Sequence, residues 1–414
     1  MRTEMKKQVR DKVLQGFDYS EKISDEALLE EIDRVVSVEA RTTFLPVEER
    51  EELRNSVYNS IRGLDILEEL LCREDVTEIM VNGENDIFLE SGGTLKKWDK
   101  AFESGNKLND IIQQIVADAN RVVNEASPIV DARLKDGSRV NVILPPVALN
   151  GPIVTIRKFA KDPFTMEKLI GLGAISEDAA DSLRRFVIAG YNIFVCGGTG
   201  SGKTTFLNAL SDFIPQDERI ITIEDSAELK INNIKNLVRL EVRNKNSKEC
   251  TEVKIRDLIK AALRMRPDRI IVGEVRGPEV IDMLQAMNTG HDGSLSTGHG
   301  NSVPDMLDRL ETMMLMGMDI PLAAVRKQVA SAIDIMVHLG RLRDGSRKVL
   351  EISEVVGMNE GDIELNPLYV FKEDEDIVEN GDGIAVVGEL KRTANPLVKR
   401  GKLKRAGIRW EDEA

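Results

Sequence analysis

The sequence predicts an α/β chain: a mainly parallel sheet layered with helices through its second half, preceded by a mixed α+β domain and a helical N-terminal extension. Three observations carry that prediction. Beyond residue 166 the apolar runs "YNIFVCG", "RIITIED", "RIIVGE" and "IDIMVHLG" alternate with amphipathic stretches, the order that right-handed crossovers between parallel strands produce. From "VTEIMVNGENDIFLE" to "TIRKF" the texture is instead short alternating runs with turn dipeptides around one helical pattern. Residues 1 to about 70 carry helical spacing and no strand alternation. The expected domains are a helical bundle over 1–70, a mixed α+β domain over 71–160 and an α/β domain over 161–414, with a linker around 158–166 where charge and Pro163 interrupt the pattern.

In the first segment, "SDEALLEEIDRVVSVEA" offers Ser24 and Asp25 as caps and sets Leu28, Leu29, Ile32, Val35 and Val36 on one helical face. "KLNDIIQQIVADANRVVNEA" predicts a helix whose Ile111, Ile112, Ile115, Val116, Ala119, Val122 and Val123 share a face. "PIVDARLKDGSRVNVIL" reads as a hairpin. If Lys135, Asp136 and Gly137 form a three-residue loop with Gly137 left-handed, Leu134 pairs with Ser138, Arg133 with Arg139 and Ala132 with Val140. That register keeps Val130, Ala132, Val140 and Val142 on one buried face, whereas a two-residue loop sets Leu134 opposite Arg139 and mixes the faces. The methionines of "ETMMLMGMDIP" read as core. The tail holds the acidic run "KEDEDIVENGD" and then eight basic residues with no acidic one from Lys391 to Arg409, which reads as solvated surface.

Composition narrows the function. The 414 residues include 57 basic and 71 acidic ones, a net charge of -14, so no general attraction to nucleic acid is expected. The 4% aromatic content also opposes strand-tracking on stacked bases. Cys72, Cys196 and Cys250 are scattered, without zinc spacing, and suit a reducing compartment. The charged start "MRTEMKKQVRDKVLQGF" is no secretory signal, and the uncharged runs 140–156 and 186–202 are broken by Pro or Gly and fall short of the ~20 residues a spanning helix needs. A cytoplasmic chain is expected.

The chemistry centres on "CGGTGSGKTTFLNAL". Gly197, Gly198, Thr199, Gly200, Ser201, Gly202, Lys203, Thr204 and Thr205 follow a strand and open a helix, the context in which backbone N–H groups cradle phosphates, the lysine adds a point charge and the hydroxyl of Thr204 takes magnesium. Downstream, "RIITIEDSAEL" puts Glu224 and Asp225 at the carboxyl end of a strand, where such sheets bind ligands. "PDRIIVGEVRG" ends a second strand in Glu274, the position that holds or influences the metal, with Gly273 where many such enzymes have Asp. His291 and His299 lie in the polar loop "TGHDGSLSTGHGNS", suited to sensing a terminal phosphate. In the hairpin, Arg133 opposite Arg139 is unfavourable unless an anion lies near; these two, with Arg157 at the linker, are candidates to neutralise a transferring phosphoryl group. Solvated strand arginines, or partners of Asp131, are the structural alternative.

Taken together, "VTEIMVNG", "DARLKDGSRVNVILPPV", "TIRKF", "GGTGSGKTT", "TIEDSAEL", "RPDRIIVGEVRG" and "GHDGSLSTGHGNS" resemble the secretion ATPase family: RecA-like P-loop motors of type II and type IV secretion and type IV pili. The chain looks most like the tight-adherence (CpaF-type) pilus assembly ATPases. The resemblance implies ATP and Mg2+ as ligands, Glu224 and Glu274 as carboxylates around metal and water with Thr204 and Glu274 on the metal, His291 and His299 as the His box pair, and Arg133, Arg139 and Arg157 as nucleotide-contacting arginines. It further implies a homo-hexamer, in the cytoplasm and peripherally attached to the cell membrane through an inner-membrane platform protein. The rival readings are a nucleic-acid motor or DNA-transfer ATPase, and a GTPase or small kinase, for which "NKNS" at 244–247 lacks the expected acid.

Overall fold

Three helices open the chain, α1 (Arg2–Gln15), α2 (Asp25–Thr43) and α3 (Val47–Ile61). Ser24 caps α2, its hydroxyl oxygen accepting from Ala27 N–H at 3.2 Å, and Val9, Val13, Leu28, Ile32, Val35, Val36 and Val57 fill the space between the helices. This computed structural model describes residues 2–17, 23–158, 164–243, 251–374, 378–380 and 383–410; "NKNS", Cys250 and linker residues 159–163 lie outside them. Two compact units result, Met1–Lys161 and a second beginning at Asp162.

Within the first unit, α4 (Leu67–Cys72) leads into β1 (Val76–Asn82), β2 (Asp86–Ser91), β3 (Thr94–Lys97), α5 (Gly105–Asp118), β4 (Ile129–Arg133), β5 (Arg139–Ile143) and β6 (Ile153–Arg157). The strands form one antiparallel sheet in the order β3-β2-β1-β6-β5-β4. Alternation along each strand sends Val130, Val140, Val142, Val154 and Ile156 into a core shared with Leu108, Ile111, Ile112, Ile115 and Val116 of α5. The helix predicted to run through Val123 stops at Asp118, because Asn120 takes a left-handed conformation (φ 52°), which Asn tolerates better than most residues. Val122 is left exposed while Val123 turns inward. The helices are tied to the sheet region by α1, where Lys6 pairs with Asp65 at 2.5 Å and Arg10 with Glu103 at 2.7 Å.

The second unit contains α6 (Met166–Gly171), α7 (Glu177–Ile188), β7 (Ile193–Gly197), α8 (Lys203–Ser211), β8 (Arg219–Glu224), β9 (Asn236–Glu241), α9 (Ile255–Ala262), β10 (Arg269–Val272), α10 (Val280–Asn288), β11 (Leu295–His299), α11 (Val303–Leu315), α12 (Leu322–Ala332) and β12 (Ile335–Arg341). It closes with β13 (Arg347–Asn359), β14 (Asp362–Glu373), a short hairpin β15 (Val378–Asn380) and β16 (Gly383–Ala385), β17 (Gly388–Arg392) and α13 (Gly401–Arg405). One nine-stranded sheet runs β17-β14-β13-β12-β7-β11-β10-β8-β9. The six strands from β12 to β9 are parallel, and β13, β14 and β17 extend the edge antiparallel. Both faces are covered, which is why its strands read as continuous apolar runs: Ile193 and Val195 of β7 face a core with α7 and α8, Phe194 and Cys196 a core with α10 and α11.

Met313 and Met314 are core, as expected, though Met316 is exposed. The basic tail is more than solvated surface. Leu397, Leu403 and Trp410 are buried, Trp410 stacks on Phe186 with ring centroids 5.2 Å apart, and Lys402 bonds Asp334 at 2.7 Å. Lys404, Arg405 and Arg409 stay exposed.

Candidate active site

The phosphate loop connects β7 to α8 at the carboxyl end of the central parallel strand. Gly200 (φ 72°) and Gly202 (φ 91°) are left-handed, a conformation that favours glycine. At Gly197 the reason is space: a Cβ there would lie 2.4 Å from Leu339 O and 2.5 Å from Ser201 Oγ. The loop is braced by Ser201 Oγ donating to Gly198 O at 2.9 Å and by Arg347 Nε donating to Gly200 O at 2.7 Å. Lys203, the first residue of α8, folds back under the loop, its Nζ 3.1 Å from Gly197 O, 3.0 Å from Gly198 O and 3.2 Å from His299 Nδ1. Burial holds its pKa below the ordinary lysine value. Thr204 and Thr205 follow it in the first turn of α8.

His299, the last residue of β11, lies directly beside Gly197 of β7. With Lys203 donating to Nδ1, the ring proton sits on Nε2, which stands 2.7 Å from Glu274 Oε1. Burial depresses the histidine's pKa, against the opposing pull of Glu274, so the neutral ring is the form this arrangement holds at neutral pH. Glu274 Oε2 in turn accepts from Arg276 Nη2 at 2.7 Å, and Arg276 Nη1 is 3.9 Å from Asp225. Lys203, His299, Glu274 and Arg276 thus form one continuous polar chain across the loop's mouth. An open cleft of about 640 Å³ meets this chain at His299 and Arg276 and is bounded also by Thr199, Asn301, Asp305 and Arg309.

Glu224 ends β8 and is buried. Its Oε1 accepts from the backbone N–H groups of Glu228 (2.7 Å) and Leu229 (2.9 Å), and its Oε2 is buried with no protein partner among the described residues. Burial raises its pKa, the two backbone donors opposing. The glycine at 273 now has a physical account. A Cβ on it would stand 2.9 Å from Glu224 Cγ, so the glutamate occupies the space an acid at 273 would need.

The sequence-predicted residues divide into three groups. Lys203, Glu274 and His299 meet at the loop, with Glu224 on the neighbouring β8–β10 strand ends. His291 does not join them: it precedes β11, so the two histidines flank opposite ends of one strand, and its Nδ1 faces Ala286 O at 3.3 Å. The arginines belong to the first unit. There the hairpin forms with Gly137 left-handed (φ 92°), Leu134 N–H donating to Ser138 O, and Arg133 opposite Arg139. Arg157 of β6 lies opposite Arg139 on its other side, so the three arginines occupy one row across three strands. Asp131 accepts from its cross-strand neighbour Asn141 at 3.0 Å. Three residues around the loop were not anticipated: Asp305, Arg309 and Arg347. Asp305 and Arg309 follow the His box closely enough that the helix start at Ser302 could have flagged them; Arg347 reaches the loop only through the β7–β12–β13 pairing and leaves no local signal.

A nine-stranded sheet with a phosphate loop on its central strand and two carboxylates on neighbouring strand ends defines a RecA-like P-loop ATPase. The profile of the type II/IV secretion system protein family matches residues 61–362, and the chain belongs to that family. A Mycobacterium tuberculosis protein named for conjugal transfer is 36% identical over 71% of this chain and 84% of its own length. The type IV secretion system protein PtlH of Bordetella pertussis is 33% identical over 70% of this chain and 93% of its own. Among solved structures, the Legionella pneumophila ATPase DotB shares the fold at 20% identity, with a TM-score of 0.50 over 71% of this chain and 80% of that one.

Proposed function

We propose that this chain is the ATP-hydrolysing subunit of a hexameric motor that drives pilus assembly or secretion while docked on an inner-membrane platform protein. The observation that carries the reading is the convergence of Lys203, His299 and Glu274 on the phosphate loop. Loop N–H groups take the β- and γ-phosphates, and Lys203 exchanges its carbonyl partners for phosphate oxygens. The hard-oxygen donor set of Thr204 and Glu274, and the orphaned Oε2 of Glu224, fit a hydrated Mg2+; Thr204 and Glu274 would hold it, and when bound it supplies charge neutralisation at the phosphates. Glu224 orients the attacking water, and His299 fixes Glu274 and reports the γ-phosphate to the lysine. As water adds to the γ-phosphorus, the bond to the bridging oxygen breaks and ADP leaves with that oxygen's electrons. The row Arg133, Arg139 and Arg157 neutralises the developing charge, a role worth a factor of roughly 10³ to 10⁵, and its engagement and release convert hydrolysis into movement.

Among the described residues no helix is long and apolar enough to cross a membrane, and membrane attachment in this reading is through the partner. Steady-state phosphate release tests the site: Lys203→Ala and Glu274→Gln should each lower turnover on the order of 10²-fold or more, and turnover left intact would remove the proposal. A second reading, a motor of a DNA-transfer machine, draws on relatives named for conjugal transfer. Filter binding of single-stranded DNA separates the two, since the secretion reading expects none retained.

A further inference from the structure

The turn between α2 and α3 carries an oddity that neither fold nor catalysis explains. Phe44 ends α2 in the left-handed conformation (φ 53°), its ring 90% exposed. The other non-glycine residues with positive φ among the described residues are Asp65, Asn120, Arg266 and Glu360, all polar; a bulky apolar side chain there is strained. Two residues of turn further on, Val47 is 69% exposed. A glycine at 44 would relieve the backbone, and a polar residue would suit the surface, so the phenylalanine is disfavoured twice over. The helix that follows opens on acids: "VEEREE" sets Glu48, Glu49, Glu51 and Glu52 in the first turns of α3. Arg50, exposed in the same turn, donates from Nε to Leu45 O at 2.9 Å.

We propose that Phe44 and Val47 form an apolar knob, set beside the glutamates that open α3, that docks a basic amphipathic segment of a membrane protein's cytoplasmic loops. Such loops carry an excess of Lys and Arg, whereas an anionic lipid surface is repelled by the same glutamates. The choice of a membrane protein as owner of that segment rests on the function proposed above; the knob itself does not.

The test uses the full chain and fluorescence anisotropy of a labelled helical peptide with one Lys face and one Leu face, beside a copy with Glu for Lys and vesicles of phosphatidylglycerol. The Lys peptide should bind, with affinity falling as salt rises, and bind at least about tenfold more weakly to Phe44→Gly, while that variant melts about 2 °C higher and hydrolyses ATP at the parental rate. Phe44→Ala, which keeps a Cβ on the left-handed backbone and so keeps the strain, should lose apolar docking without the gain in melting temperature. Equal binding of the Glu peptide, Phe44-dependent binding to the vesicles, or peptide affinity unchanged in both variants would overturn the proposal while leaving the ATPase reading intact.

Discussion

Glu224 and Gly273 behave as one device. Glu224 is held by two backbone donors and packed against a residue that has no side chain. Gly273→Ala forces the carboxylate off its seat, so turnover should fall by about 10–100-fold with nucleotide affinity nearly unchanged, as measured by phosphate release against binding of a fluorescent nucleotide. The same burial has a pH signature. Glu224's pKa is raised in the folded chain, so its contribution to stability is fully present below the ordinary glutamate pKa and is lost as pH rises through the raised value. Glu224→Gln removes that loss. Its melting temperature should exceed the parent's at neutral pH and converge with it near pH 4; a constant offset across that range would show the carboxyl to be unperturbed. The strand-end position of Glu224 could be read from its apolar run. Its partnership with Gly273 could not, because it arises from the pairing of β8 with β10.

The arginine row is an element-scale property, and it was legible because a hairpin's register is set locally by loop length and facial alternation. Its extension to Arg157 was not, since β6 joins through the sheet. Arg139 stands in register between Arg133 and Arg157. Arg139→Gln, which keeps a hydrogen-bonding end and removes the charge, should reduce ATP turnover on the order of 10³-fold while nucleotide binding is largely retained. Phosphate release beside binding of a fluorescent nucleotide checks it, and unchanged turnover would mean the row serves the fold alone. The early end of α5 shows the converse: the apolar spacing continues past Asp118, but Asn120 leaves the helix, and periodicity alone does not register a left-handed residue.

At the scale of the molecule, the alternation of apolar strands and amphipathic helices disclosed the second unit as a layered parallel sheet but not its strand order, in which β7 lies between β12 and β11 rather than beside β8. How the N-terminal helices join the first unit was hidden, because the tie is made by residues 59 positions apart, Lys6 and Asp65. Asp65's side chain is fully buried and Lys6's nearly so. Removing one partner of such a pair leaves an uncompensated charge, at about 3–5 kcal/mol. Lys6→Met should thus loosen the bundle from the sheet. Limited proteolysis would cut first within residues 1–70, and the phosphate-loop unit would keep its nucleotide affinity. Lys6→Met combined with Asp65→Asn removes the stranded charge with a residue that tolerates the left-handed backbone at position 65 (φ 55°), and should recover most of the lost protection. If the double variant stays as protease-sensitive as the single one, the attachment depends on the lysine's own packing, and the bundle is held by apolar contact rather than by charge.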